Sequence, residues 1–338
     1  MDDEGVILKT MDNFGISITS VKRYLQECVQ QDIIKAEKER ECGYSLVEQI
    51  YKTSIALNEE TPDEDYIFNN HIANCLSGCN KEAFRIWQYT CEEMLNNAIE
   101  HSKGSNLYIE VSTNALFSKV IIADDGMGTF QTLVEYMRKK LWISPQVEDA
   151  LVELYKGKFT TNAECHSGEG IFFSSKMVDH YILWSDDRMY VCGNGRDKEI
   201  VQSHILSYAA RLGKVGTMVC MCLENETQRK IVEVFDMYTD IENGFIKTHI
   251  PVKEACISGE PVARSQARRI CNRLEEFKEV ILDFDRVEFI GQGFADEIFR
   301  VYALAHPNVL LCPINMLPTV ERMIRHVGRG SLPENVRI

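Results

Sequence analysis

Two polar side chains one helical turn apart are the first residues in this chain that could do chemistry. Glu93 and Asn97 are four residues apart, which puts both on one face of a helix. A carboxylate and a carboxamide in this arrangement suit Mg²⁺, because this ion takes oxygen ligands and keeps much of its hydration shell. A solvated helix face would show the same spacing, so the pair alone leaves both interpretations open.

A second group of candidate residues follows a pair of alternating apolar segments. Asp124 could accept a hydrogen bond from an exocyclic amine, and Gly126 and Gly128 would let the backbone approach a flat ligand. Further along, Gly168 and Gly170 precede a helical pattern, and the N–H groups at the start of a helix favour anions. Together these residues indicate a site for a flat ligand that carries an amine and an anionic group.

The elements that must position these residues can be read from the hydrophobic pattern. Apolar residues recur at helical spacing around Glu93 and Asn97, so that helix should pack one face on a sheet; they are Trp87, Cys91, Met94, Leu95 and Ala98. A β-hairpin is predicted at residues 107–113 and 117–124, and a strand at 218–223 after Gly216 and Thr217. The segment 129–167 is too long for a plain connection and should contain its own helices.

The order of these elements along the chain resembles the ATP-binding fold of the GHKL superfamily, which gyrase, the MutL repair proteins and sensor histidine kinases share. The elements are the helix with Glu93 and Asn97, the turn at Asp124, the long segment that follows, and the glycines that precede a helix. The resemblance covers roughly residues 70–225 and implies ATP and Mg²⁺ as ligands. It implies Asn97 as the metal ligand and Glu93 as a general base. The other residues that it places at the nucleotide are Asp124, Gly126, Gly128, Gly168, Gly170 and Thr217.

The long segment after Thr129 corresponds, in the same superfamily, to a lid over the triphosphate. Lys156 and Lys158, on either side of Gly157, are candidates to contact phosphate there, and we assign Lys158 to the cofactor site. Solvated surface lysines are the alternative. A lid of this length is expected to give ATP different affinities for two states of the protein.

Residues 1–57 resemble a winged helix-turn-helix, with a turn at Gly15 and a cap at Ser17. Val21, Leu25 and Val29 are predicted to form one buried stripe, and Lys22 and Arg23 to face outward toward DNA. The segment 35–46 is predicted as a two-stranded wing. Little chain precedes Gly15, so the first helix of the usual three is expected to be short or missing. A helical cap or a dimerisation element is the alternative.

After an acidic break at residues 58–65, the ATP-binding domain is predicted over 66–225 and a third domain over 245–330. In the third domain strands alternate with helices, one of them predicted over 261–277, which implies parallel pairing. The run from Ile281 to Asp296 resembles the STAS-like domain of unknown function. STAS antagonists of anti-sigma factors carry a phosphorylatable serine before this helix. Here the turn reads Gly291-Gln292-Gly293, which offers no hydroxyl and makes an interaction module the expectation.

Composition limits the functional classes further. The formal net charge of −14 over 338 residues argues against a general polyanion binder. Twelve cysteines occur without a Cys-x-x-Cys pair, so buried thiols are favoured over zinc. No apolar run approaches a membrane span, and the acidic amino terminus does not resemble a signal peptide, so a cytoplasmic protein without membrane contact is expected.

The sequence therefore predicts an α+β protein: a GHKL α/β sandwich between a helix-turn-helix-like segment and a STAS-like α/β domain. The first functional hypothesis is a regulator, for example of transcription, in which Mg-ATP controls binding to DNA or to a protein partner through the STAS-like domain. A homodimer would help so few cations to bind DNA. The alternatives are a protein kinase of the histidine-kinase or anti-sigma type and a slow GHKL ATP hydrolase, so enzymatic activity remains open.

Overall fold

The computed structural model describes residues 3–37, 43–141, 144–158, 169–193, 206–256, 259–328 and 331–338. The chain is a mixed α and β protein with a six-stranded sheet in its middle and a three-stranded sheet in its C-terminal part. Within the described ranges every helix is too short or too polar to cross a lipid bilayer.

The N-terminal unit consists of two helices and a hairpin. Its elements are α1 (Asp3–Phe14), α2 (Ile18–Gln30), β1 (Ile34–Glu37) and β2 (Gly43–Leu46), and the two strands pair antiparallel. The predicted turn and cap are confirmed: Gly15 has a φ of 62°, and the Ser20 N–H donates to the Ser17 hydroxyl at 3.2 Å. The expectation of a short or missing first helix is wrong, because α1 spans twelve residues.

The predicted buried stripe of α2 holds only in part. Val21 is 1% exposed and Leu25 is half-buried, but Val29 is 38% exposed. Helix α2 contacts mainly α1 and β1, and Val29 in its last turn remains exposed. Periodicity identified the side of the helix that would be apolar but not how far the neighbouring helix would extend along it.

The central sheet is antiparallel throughout, and its strands lie in the order β3-β4-β5-β8-β6-β7. These strands are β3 (Gln49–Ala56), β4 (Asn106–Thr113), β5 (Phe117–Asp124), β6 (His180–Ser185), β7 (Arg188–Gly193) and β8 (Thr217–Glu224). The predicted hairpin is thus confirmed. The predicted boundary after residue 57 is displaced, because β3 pairs with β4 along its whole length and so joins the sheet.

Helices cover the two faces of this sheet unequally. The more fully covered face carries α3 (Glu64–Ile67), a π turn (Phe68–Ile72), a 3₁₀ turn (Ala73–Leu76), α4 (Lys81–His101), α5 (Thr129–Leu141), α6 (Val147–Lys156), α7 (Gly170–Met177) and α8 (Ile231–Tyr238). Alternation along β5 sends Val120 and Ile122 into that core. Ile121 and Ala123 face the opposite side, where the helical residues 206–212 pack.

The C-terminal part confirms the prediction of parallel strands. After the short strands β9 (Thr239–Asp240) and β10 (Gly244–Phe245) come β11 (Lys247–Pro251), β12 (Glu279–Asp283) and β13 (Leu310–Ile314), which pair parallel in that order. Its helices are α9 (Val252–Ala255), α10 (Arg264–Cys271), α11 (Gln292–Asp296), which continues as a π turn (Glu297–Tyr302) into α12 (Ala303–Ala305), and α13 (Pro318–Val327).

Two predictions for this part need correction. The helix expected over 261–277 ends at Cys271, because Arg273 takes a left-handed φ of 59° before a 3₁₀ turn (Leu274–Glu276). The domain also extends past residue 330, since Val336 bridges to Leu311 of β13. A single hydrophobic core runs from the central sheet into the C-terminal part, with Phe172 4.7 Å from Phe245 between ring centroids.

Candidate functional site

Helix α4 presents the predicted metal-binding pair from a firmly packed position. The helix begins after Asn80, whose side chain accepts a hydrogen bond from the Ala83 N–H at 2.8 Å. All five predicted core positions are buried, and they are Trp87, Cys91, Met94, Leu95 and Ala98. The apolar face is thus confirmed, and it fixes the rotation of α4 so that Glu93 and Asn97 both face one cavity.

That cavity brings together residues from six separate stretches of the chain. Five of the residues predicted from sequence line it, namely Glu93, Asn97, Asp124, Gly170 and Thr217. Its walls are otherwise largely apolar and include Ile122, Leu183 and Val219 from three adjacent strands. The cavity is partly open to solvent.

Asp124 lies at the end of β5 with its carboxylate buried. The residue is 4% exposed, and its Oδ1 accepts a hydrogen bond from the Gly126 N–H at 2.9 Å. Burial raises the pKa of Asp124 to about 6, although backbone N–H groups of Gly126 and Thr217 oppose that rise. A carboxylate in an apolar cavity is a strong acceptor for a ligand N–H group.

The turn after Asp124 needs its glycines for a reason that the sequence did not reveal. A Cβ on Gly126 would collide with the Ser102 carbonyl oxygen, and a Cβ on Gly128 would collide with the Asp186 carboxylate. The Met127 N–H donates to that same Ser102 carbonyl at 2.7 Å. Neither glycine lines the cavity. Their role in this structure is therefore close packing of the turn against the end of α4 and the β6–β7 turn.

Also in the cavity lining, Glu93 meets the amino terminus of α7. A Cβ on Gly170 would collide with the Glu93 carboxylate, so the two residues are in close contact. The Tyr89 hydroxyl also donates to Glu93, and burial together with Glu93 raises the pKa of Tyr89. Gly170 is the first residue of α7, whose orphan N–H groups favour negative charge. The predicted Gly168 lies outside the described residues.

The two lysines expected at phosphate lie elsewhere. The Lys158 ammonium donates to the Glu276 carbonyl at 2.8 Å and is 4.6 Å from the Phe277 ring centroid. Lys156 is buried and donates to the Arg269 carbonyl at 3.1 Å. Both residues therefore contact the C-terminal part, and neither lines the cavity. The assignment of Lys158 to the cofactor site is not supported by this geometry, because α6 turns its lysine-bearing end away from the cavity.

Sequence reasoning missed several lining residues. Thr129 begins α5, and its hydroxyl is 2.9 Å from that of Thr217. Its position directly after Gly128 could have indicated it. Leu154 lines the cavity from α6, but no local pattern indicates which way α6 would fold back.

The donor set fits Mg²⁺ only in combination with a ligand. Among the described residues no three His, Cys, Asp or Glu side chains converge in a way that could hold a metal ion. Asn97 and Glu93 supply oxygen atoms to the cavity, but water and phosphate oxygens would have to complete the shell. Mg²⁺ bound with a nucleotide has this kind of coordination.

Lys22 and Arg23 are exposed on α2, far along the chain from the cavity residues. The Arg23 guanidinium is 5.0 Å from the Tyr24 ring centroid and 3.6 Å from the Glu27 carboxylate. The nearby acid weakens the net positive charge that α2 offers to a phosphate backbone.

Comparison with known proteins adds one finding in the C-terminal part. Residues 266–321 match the STAS-like domain of unknown function. No curated protein matches the chain. The matched region runs from α10 through β12 and into α13, and thus confirms the STAS-like resemblance that the sequence indicated.

Proposed function

We propose that this chain is an Mg-ATP-binding regulator of the GHKL type, in which nucleotide binding controls interaction with DNA or with a protein partner. The observation that supports the proposal is the convergence of Glu93, Asn97, Asp124, Gly170 and Thr217 on one largely apolar cavity. These residues span positions 93 to 217, so chance proximity along the chain does not explain their meeting.

Three of these residues and the apolar walls have chemical roles in nucleotide binding in this proposal. The apolar walls would enclose the adenine ring, and Asp124 would accept a hydrogen bond from its amine. Asn97 would bind Mg²⁺, and the start of α7 at Gly170 would face the phosphates. Mg²⁺ supplies charge neutralisation on the phosphate oxygens when it is bound.

Calorimetric titration with a non-hydrolysable ATP analogue tests the binding step. Asp124→Ala should weaken affinity roughly ten- to a hundredfold, since a hydrogen bond to a charged group is worth about 1.5 to 3 kcal/mol. Asn97→Ala should remove the Mg²⁺ dependence of binding. Glu92→Ala, one residue from Glu93 on the same helix, is the matched control and should bind as the wild type does. Wild-type affinity in a folded Asp124→Ala protein would contradict the assignment.

Slow ATP hydrolysis is a second candidate function, because Glu93 lines the same cavity one helical turn before Asn97. A general base in that position would activate water. Glu93→Ala should then retain nucleotide affinity and lose turnover. If the wild type shows no turnover above background, with or without DNA, Glu93 is not a catalytic residue.

The N-terminal unit supports DNA as the regulated partner. Its helix, turn, helix and hairpin follow the order of a winged helix-turn-helix, with Lys22 and Arg23 exposed on the second helix. Fluorescence anisotropy with a selected duplex should show binding that is steeply salt-dependent and altered by the ATP analogue. Lys22→Ala with Arg23→Ala should abolish it without changing nucleotide affinity. If no duplex is enriched over random sequence, the partner is a protein.

A further inference from the structure

Helix α6 contacts the candidate nucleotide cavity on one side and the STAS-like domain on the other. Leu154 lines the cavity. The rest of the helix from Ala150 to Lys156 is buried, and it packs against β11, α9 and α10 of the C-terminal part. A ten-residue helix moves as a unit, so its position at the cavity and its position on the STAS-like domain cannot change independently.

The contact is built around a buried positive charge. Lys156 is 1% exposed, and its ammonium donates to the Glu153 carboxylate at 2.7 Å. It also donates to the carbonyl oxygens of Arg269, at 3.1 Å, and Asn272. These carbonyls lie at the carboxyl end of α10, where a helix leaves its acceptors unsatisfied and carries partial negative charge. Lys156 thus caps a helix of the STAS-like domain from within the nucleotide-binding part.

Further polar contacts surround this cap. The Arg273 guanidinium donates to Glu153 at 3.2 Å, and the Arg269 guanidinium donates to Asp149 at 2.9 Å. The Thr248 hydroxyl of β11 donates to the Lys156 carbonyl oxygen at 2.9 Å. Glu153 is 4% exposed, so undocking α6 would separate buried charges from their partners. Such a contact favours discrete docked and undocked arrangements over gradual displacement.

We propose that the STAS-like domain positions α6 through Lys156, Glu153 and Arg273, and thereby sets the affinity of the nucleotide cavity. This inference rests on the proposed ATP-binding function. Docked α6 holds Leu154 in the cavity wall before the nucleotide arrives, so binding does not have to order it. By thermodynamic linkage, nucleotide in the cavity then stabilises the docked STAS-like domain. A partner of that domain would sense nucleotide through this helix.

The test compares full-length variants at the two sides of α6. Arg273→Gln removes the contact from the STAS-like domain to Glu153, and Arg273→Lys retains a positive charge. Arg188→Gln is the matched control, because Arg188 pairs with Glu148 of the same helix at 3.7 Å but belongs to the central sheet. Lys156→Met removes the buried charge itself. Arg269→Gln, which breaks a more exposed pair, serves if Lys156→Met does not fold.

Titration with the non-hydrolysable ATP analogue should show affinity at least fivefold weaker in Arg273→Gln than in the wild type, the lower end of usual coupling between sites. Arg273→Lys should recover part of the loss, and Arg188→Gln should show none. In hydrogen exchange, nucleotide should slow the amides of 264–271 in the wild type but not in Arg273→Gln. A structural role alone would lower thermal stability and leave both readouts unchanged.

The outcomes separate the two proposals. A wild-type protein that binds no adenine nucleotide contradicts the proposed function, and the coupling with it. A wild type that binds, together with a folded Arg273→Gln or Arg269→Gln that binds equally well and shows the same exchange response, overturns the coupling alone.

Discussion

Buried acidic side chains occur in both the central and the C-terminal parts of the molecule, but their neighbours differ. Asp124 faces an apolar cavity, and burial raises its pKa to about 6. The half-buried Asp296 at the end of α11 and the buried Glu297 directly after it lie beside three arginines, whose hydrogen bonds lower the pKa of each carboxyl. Burial opposes this at both residues and is the largest single influence at Glu297. The arginines are Arg264, Arg268 and Arg300.

This difference in neighbours distinguishes a ligand site from a scaffold, whose charged residues only stabilise the fold. Charges that are fully paired within the fold stabilise it and have little left to offer a ligand. A carboxylate buried beside apolar walls costs stability when it ionises, and such a cost is typical of functional positions. By this criterion the cavity of the central part is the candidate ligand site, and the STAS-like domain contributes contacts.

Glycines in the two parts also differ in their surroundings. Replacing them gives the largest expected effect on stability. Gly126→Ala would press a methyl group against the Ser102 carbonyl, a backbone atom that cannot move aside. We expect it to destabilise the protein by about 3 kcal/mol. At Gly293 the nearest atom would be 3.8 Å from the new Cβ, so Gly293→Ala in α11 should gain up to about 1 kcal/mol of helix propensity. Denaturant unfolding of both variants measures this; equal effects would contradict the contrast.

A smaller effect is expected from the pH dependence of stability. The folded pKa of Asp124 lies above its unfolded value, so its ionisation destabilises the fold as pH rises from about 4 through 6. Asp124→Asn should therefore stabilise the protein by up to about 3 kcal/mol at pH 7.5, and the gain should vanish near pH 4.

Asp296→Asn provides the comparison of opposite sign. Because its folded pKa is lowered, the Asp296 carboxylate contributes stability above its unfolded pKa, and that contribution is lost as pH falls. The variant should be less stable than the wild type at pH 7.5 and should approach it in acid. Thermal melts from pH 4 to 8 compare the two, and parallel curves for both variants would remove the distinction between site and scaffold.

The last prediction is that incubation with Mg-ATP leaves the STAS-like domain without phosphate. The segment from Gly291 to Gly293, at the start of α11, carries no hydroxyl group, so the STAS-like domain should not become phosphorylated by its own chain. Intact-mass measurement after incubation with Mg-ATP should show no added phosphate. A stoichiometric phosphate mapped to residues 250–338 would favour the protein-kinase alternative.

Local pattern alone was enough to determine the elements on which the site depends. The apolar spacing around Glu93 and Asn97 identified the face of α4 that is buried, and alternation identified β4 and β5. The order of strands and helices after residue 245 predicted parallel pairing. These features depend on residues a few positions apart, which the sequence places next to one another.

Other features depended on contacts between distant residues, and only the tertiary structure decided them. Lys156 could have faced phosphate, but its ammonium is satisfied by carbonyls more than a hundred positions later, at Arg269 and Asn272. Strand β3 joined the central sheet because β4 offered an unpaired edge. Gly126 is constrained by the Ser102 carbonyl, twenty-four positions earlier. Each outcome depends on which distant residue contacts a backbone or charged group. The residues next to that group in the sequence do not indicate its partner.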